Sequence, residues 1–142
     1  MKDKILFINA CVRPKSRTAE LSRHLLNRLN GEITEVNLYQ EDLLPLHNEG
    51  IEKRALHNIS GRELEYAKQF ANADSIVIEI CVDKEIVKRV FKLAKKYNKK
   101  VFAVVANMGI ALERRDFLQS IDCFVCNIQE AGMIFSDDYS GK

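Results

Sequence analysis

The sequence predicts a three-layer α/β domain: a doubly wound parallel sheet of five strands in the order 2-1-3-4-5, with helices on both faces. Three observations carry this expectation. Short and almost wholly apolar runs recur as KILFINA, SIVIEIC and KVFAVVA, the composition of strands buried on both sides. Stretches with apolar residues at helical spacing separate them, so strand and helix alternate five times. Two further strand-like runs are more polar, which places them at the sheet edges, and right-handed crossovers leave few topologies.

Lys4 to Ala10 is the first strand, ending at a loop of polar and basic residues. From Ser16 to Asn30, Leu21, Leu25, Leu26 and Leu29 recur at helical spacing, with Ser16 or Thr18 as the N-cap and Asn30-Gly31 as the stop. Ile33 to Tyr39 alternates Thr34, Val36 and Leu38 with Glu35 and Asn37, the half-exposed pattern of an edge strand. A polar loop through Pro45 and Gly50 leads to a helix near Ser60 to Ala73. Its Ser60 and Glu63 have capping-box spacing, and Leu64, Ala67, Phe70 and Ala71 form its expected buried face.

Ser75 to Cys81 is the third strand. Asp83 then caps a helix with Ile86, Val87, Val90, Phe91, Ala94 and Tyr97 on one side. The other side carries Lys88, Arg89, Lys92, Lys95 and Lys96, without interleaved aromatic residues, and reads as a solvated surface. Lys100 to Ala106 is the fourth strand, Asp116 to Ser120 a short helix, Asp122 to Cys126 the fifth strand and Ile128 to Phe135 the last helix.

The length of 142 residues suits one domain, expected to run over 1–142. A chain of this size buries roughly 68–70% of its unfolded surface. The apolar share of 46% and charged share of 30% are those of a globular protein. A net charge of +2 is too balanced to imply a nucleic-acid or acidic-membrane partner. No stretch reaches membrane-span length, and the N-terminal apolar run is too short for a signal peptide. The cysteines, Cys11, Cys81, Cys123 and Cys126, lie in or beside apolar runs, as in a reduced cytoplasmic protein. Cys123 and Cys126 have C-x-x-C spacing, but on a strand residues three apart point to opposite faces, so no bridge or redox role is expected.

In a sheet of this order ligands bind beyond the carboxyl ends of strands one and three. The first such loop, Cys11 to Thr18, combines Arg13, Lys15 and Arg17 with the hydroxyls of Ser16 and Thr18 at a helix N-terminus, where free amides and the helix dipole favour an anion. A phosphate-bearing small molecule held by Arg13, Ser16, Arg17 and Thr18 is one reading. An N-cap beside surface cations is the other. The Gly-rich run of a P-loop is absent.

INACVRPKSRTAELSRHLL, EVNLYQEDLLPL and YAKQFANADSIVI together resemble the flavodoxin-like NAD(P)H:quinone oxidoreductase and azoreductase family, over residues 4–79. The resemblance implies an FMN enzyme that takes hydride from a nicotinamide and passes electrons to quinones or azo compounds, usually as a dimer. Ser16, Arg17 and Thr18 would then embrace the FMN phosphate. That family carries an aromatic and proline-bearing segment along the flavin after its third strand. Here Glu79-Ile-Cys-Val-Asp83 runs straight into a helix, and Trp is absent.

From residue 80 onward, DKEIVKRVFKLAKKYNKKVFAVVAN and DFLQSIDCFVCNIQEAGMIF are similar to sugar kinases of the ribokinase type. Asn127 and Glu130 match that family's N-x-x-E motif, which helps organise magnesium and phosphate. They also make an Asn N-cap with Glu at N3, which explains them without any metal. The family's Gly-rich anion hole, its downstream catalytic Asp and its sugar-binding portion have no counterpart here, so kinase activity is not expected. Two families meeting near residues 79–82 suggest an engineered chimera of a flavodoxin-like half, 1–79, and a ribokinase-like half, 80–142. The expectation is a folded scaffold, monomeric or homodimeric, without catalytic turnover and without a tightly bound cofactor, keeping a vestigial loop that holds FMN weakly. The alternatives are a compact FMN-dependent NAD(P)H oxidoreductase and a non-catalytic binding module for phosphate ligands.

Overall fold

The computed structural model describes residues 2–11, 13, 15–41, 61–80, 84–105 and 115–135, with backbone alone at 115 and 116. Its five strands, β1 (Asp3–Asn9), β2 (Gly31–Asn37), β3 (Ser75–Ile80), β4 (Lys100–Val105) and β5 (Cys123–Val125), form one sheet in the order β2-β1-β3-β4-β5. Every pairing is parallel, as the apolar runs and the alternation predict. Four α-helices are described: α1 (Arg17–Leu26), α2 (Arg62–Asn72), α3 (Lys84–Lys96) and α4 (Ile128–Phe135). A 3₁₀ turn spans Arg115–Ser120.

β3 is central because every one of its residues can be buried, and all six are. It pairs with β1 from Ile5↔Ser75 to Ile8↔Ile78, and with β4 from Ser75↔Lys100 to Ile80↔Val105. Alternate residues feed opposite layers. Ile5, Phe7 and Val77 pack beneath Leu25, Leu26 and Leu29 of the α1 segment. On the other face, Ile78, Ile80, Val101 and Ala103 meet Val87, Phe91 and Ala94 of α3, and Leu6 and Ile76 meet Tyr66 and Phe70 of α2. Phe91 and Phe117 make an edge-to-face contact at 5.4 Å.

The ends of the elements have local causes. Gly31 opens β2 where a Cβ would lie 2.5 Å from the Asp3 carbonyl oxygen, so the pairing with β1 requires glycine. After α3, Asn98 turns the chain at φ +52°, a conformation asparagine tolerates better than most residues, and the Lys99 amide donates back to the Ala94 carbonyl.

Several helix readings change: α1 ends at Leu26 with Asn27 as its C-cap, ahead of the expected stop at Asn30-Gly31. α2 starts from Gly61 at φ +70° with no side-chain cap, while Ser60, the expected cap, lies outside the described residues, as does Asp83 before α3. The packing stripe of α2 is Tyr66 and the expected Phe70, followed by Ala73, with Leu64 half-buried and Ala67 and Ala71 exposed. This helix leans on β1, β2 and β3, and the neighbours it meets there fix which side is covered. Likewise Ile86 and Tyr97 of the α3 segment, expected on its buried face, are 48% and 56% exposed.

Candidate functional site

The loop after β1 closes into the start of α1 through side-chain and backbone bonds alike. Ser16 is extended, at φ −81° and ψ 156°, and its Oγ accepts from the Ala19 amide at 3.1 Å, so Ser16 and not Thr18 is the N-cap. The Ser16 amide donates to the Arg13 carbonyl at 3.1 Å. The Cys11 thiol donates to the same carbonyl at 3.2 Å and lies 2.7 Å from Ser16 Oγ. The amides of Arg17 and Thr18 sit in the first helical turn, where no preceding helical carbonyl can take them.

Arg13, Lys15, Ser16, Arg17 and Thr18 line one cavity of about 630 Å³. The structure thus brings the four predicted site residues together. Leu21, the end of β4 (Val105) and the start of α4 (Asn127, Glu130) line the same cavity. Chain order alone separates Val105, Asn127 and Glu130 from the loop by more than 80 positions. The topology is the signal that unites them, because parallel strands put every helix start at the same edge of the sheet.

Asn127 and Glu130 form a complete capping box. The Glu130 amide donates to Asn127 Oδ1 and the Asn127 amide donates to Glu130 Oε2, each at 2.8 Å. Both side chains are thereby used in starting the helix, in line with the cap reading of this motif. Among the described residues no group of three or more His, Cys, Asp or Glu side chains is placed to hold a metal ion. Beside the box, Cys126 keeps its proton more tightly than an ordinary thiol, first through burial and then through the Glu130 carboxylate. Cys11, Cys123 and Cys126 are free thiols, and Cys81 lies outside the described residues.

Beneath the loop lies a carboxylate that the apolar composition of β3 makes conspicuous. Glu79 is 0% exposed. Its Oε2 accepts from the Ala10 amide at 2.8 Å and its Oε1 accepts from the Ser22 hydroxyl at 2.7 Å. Burial raises its pKa above the ordinary carboxylate range, against the lowering effect of Ser22 and the amides of Ala10 and Cys11. Asn9 supports the same loop base: its Oδ1 accepts from the Cys11 amide at 2.9 Å and its Nδ2 donates to Glu35 Oε1 at 2.7 Å. Of the segment expected to differ from flavoenzymes, residues 79 and 80 close β3 while 81–83 lie outside the described residues.

No helix among the described residues is long and apolar enough to cross a membrane. No protein-family model matches the chain, and no curated protein matches it. Solved structures do. A Streptococcus mutans protein, Smu.1420, is similar at 16% identity with a TM-score of 0.54, over 94% of this chain and 95% of that one. A Klebsiella pneumoniae protein described as a quinone reductase is similar at 14% identity and a TM-score of 0.49, over 72% of this chain and 58% of that one. The Paracoccus denitrificans protein FerB, described as a flavoenzyme NAD(P)H:(acceptor) oxidoreductase, is similar at 15% identity and a TM-score of 0.48, over 89% and 76%. This chain matches just over half the length of the Klebsiella protein.

The expected chimeric scaffold is corrected by these findings. The streptococcal fold covers 94% of this chain and 95% of its own, so the fold as a whole occurs in a bacterial protein and does not call for a chimeric origin. In the sheet, β3 continues its pairing with β4 through Glu79 and Ile80 without a break. None of these three structures is described as a sugar kinase, and the N-x-x-E residues Asn127 and Glu130 are a helix cap. The chain has a flavodoxin-like fold, with its cationic loop at the edge where that fold places ligands.

Proposed function

We propose that this chain is an FMN-dependent oxidoreductase acting between a nicotinamide nucleotide and a small acceptor such as a quinone. The observation that supports it is the single cavity around which Arg13, Ser16, Arg17 and Thr18 converge at the N-terminus of α1. The resemblance of residues 4–79 to FMN-dependent quinone reductases and azoreductases supplies the ligand.

The donor set suits a phosphate monoester. Arg13 and Arg17 offer planar guanidinium groups, Lys15 a third cation, Thr18 a hydroxyl, and the first turn of α1 its amides. Ser16 acts mainly by holding the helix start, since its Oγ already accepts from Ala19. Glu130 also lines the cavity, but its carboxylate is held by the Asn127 amide in the helix cap. Leu21 and Val105 give apolar contact next to the cations. Bound flavin would supply a reversible two-electron acceptor for hydride.

The test is oxidation of NADH or NADPH with a quinone present, with and without FMN. A flavin-dependent rate well above that of free FMN, weakened roughly tenfold or more in apparent FMN affinity by Arg17→Ala, is the expected result, since a charge-assisted contact contributes about 1.5–3 kcal/mol. A rate no greater than that of FMN in buffer contradicts the proposal.

A further inference from the structure

A carboxylate in the middle of a parallel sheet is costly to desolvate, and a well-packed apolar side chain at such a position is often neutral or stabilising by comparison. Packing therefore does not account for Glu79. Its two partners do: Ala10 is the last residue before the cationic loop, and Ser22, itself 1% exposed, lies on α1 just after it. One side chain from the neighbouring strand ties down both flanks of the loop, across separations of 69 and 57 residues.

We propose that Glu79 is the positioning residue of the anion loop, clamping Ala10 and Ser22 so that Ser16 and the start of α1 present their donors to the ligand. The proposal rests on the anion-site reading given above. Glu79 stays behind the backbone and touches no ligand in this role. Its effect reaches the site through the chain of contacts from Ala10 to Cys11 and from the Cys11 thiol to Ser16 Oγ, 2.7 Å away. Asn9, which accepts from the Cys11 amide, is the second hold on that same base.

Three variants test it with two readouts. FMN affinity is measured by fluorescence titration, and loop geometry by the rate at which Cys11 is alkylated, resolved by peptide mass spectrometry. Glu79→Leu should weaken FMN binding tenfold or more and speed Cys11 alkylation several-fold while the protein stays folded. Glu79→Gln should restore both, because an amide can accept from the Ala10 N–H and donate to Ser22 Oγ. Should Glu79→Leu not fold, Ser22→Ala cuts the α1 arm alone and should shift both readouts in the same direction. Unchanged affinity and unchanged Cys11 labelling in the folded variants overturn the proposal. Absence of FMN binding by the unmodified chain would refute the anion-site reading separately, and Cys11 labelling would still decide whether Glu79 sets the loop.

Discussion

Glu79 shows how one residue can carry an opposing pair of effects. Its hydrogen bonds favour the carboxylate and its burial disfavours it, with burial the stronger. A group whose pKa is higher in the folded than in the unfolded chain contributes stability below its unfolded value, and loses it as pH rises through the folded value. Glu79→Gln keeps the bonding pattern and removes the charge. It should therefore raise the denaturation midpoint at pH 7, by an amount that shrinks as pH falls into the carboxylate range; a gap that widens toward low pH would contradict this. Ser16 makes the simpler case. Ser16→Ala removes the acceptor for the Ala19 amide and should cost about 1 kcal/mol in urea unfolding. The Ser16 cap was legible in the sequence because a cap lies within three residues of its partner. The Glu79 clamp was not: a Glu in an apolar run signals an oddity, but its partners follow only from strand register.

At the scale of elements, α1 and α4 do different work at the same cavity. The start of α1 is ringed by cations, whereas the start of α4 is closed on itself by Asn127 and Glu130. Asn127→Ala should cost about 1 kcal/mol and leave FMN affinity nearly unchanged, which titration calorimetry and urea unfolding can separate. A large loss of affinity would mean that α4 binds ligand directly. Helix faces were only partly readable. Leu25, Leu26 and Leu29 of the α1 segment pack on the sheet as their spacing predicts, whereas Leu21 lines the cavity instead. The covered side of α2 is set by which strands lie beneath it, a non-local fact that periodicity does not contain.

For the whole molecule, the strand order was legible because the three apolar runs and the two patterned ones admit few arrangements. Continuity across residue 80 was legible for the same reason, and β3 is bonded to β1 on one side and β4 on the other. The origin of the chain was not: local similarity to two families suggested a chimera, for which the similar solved structures give no sign. Because α3 packs on strands from both proposed halves, we propose that the chain unfolds as one unit, and calorimetry should show one transition. Two separable transitions would restore a boundary. Phe91 sits in that shared core against Phe117, and Phe91→Ala should cost about 3–5 kcal/mol, read as a lower urea midpoint.

We propose that Arg13, Ser16, Arg17 and Thr18 recognise the phosphate of a flavin nucleotide. Titration calorimetry of the full chain with FMN and with riboflavin, which differ only in that phosphate, tests it most directly. FMN should bind at least about tenfold more tightly, with the difference falling as salt screens the cations. Equal affinities for the two ligands, or a difference that Arg17→Ala leaves intact, would contradict it.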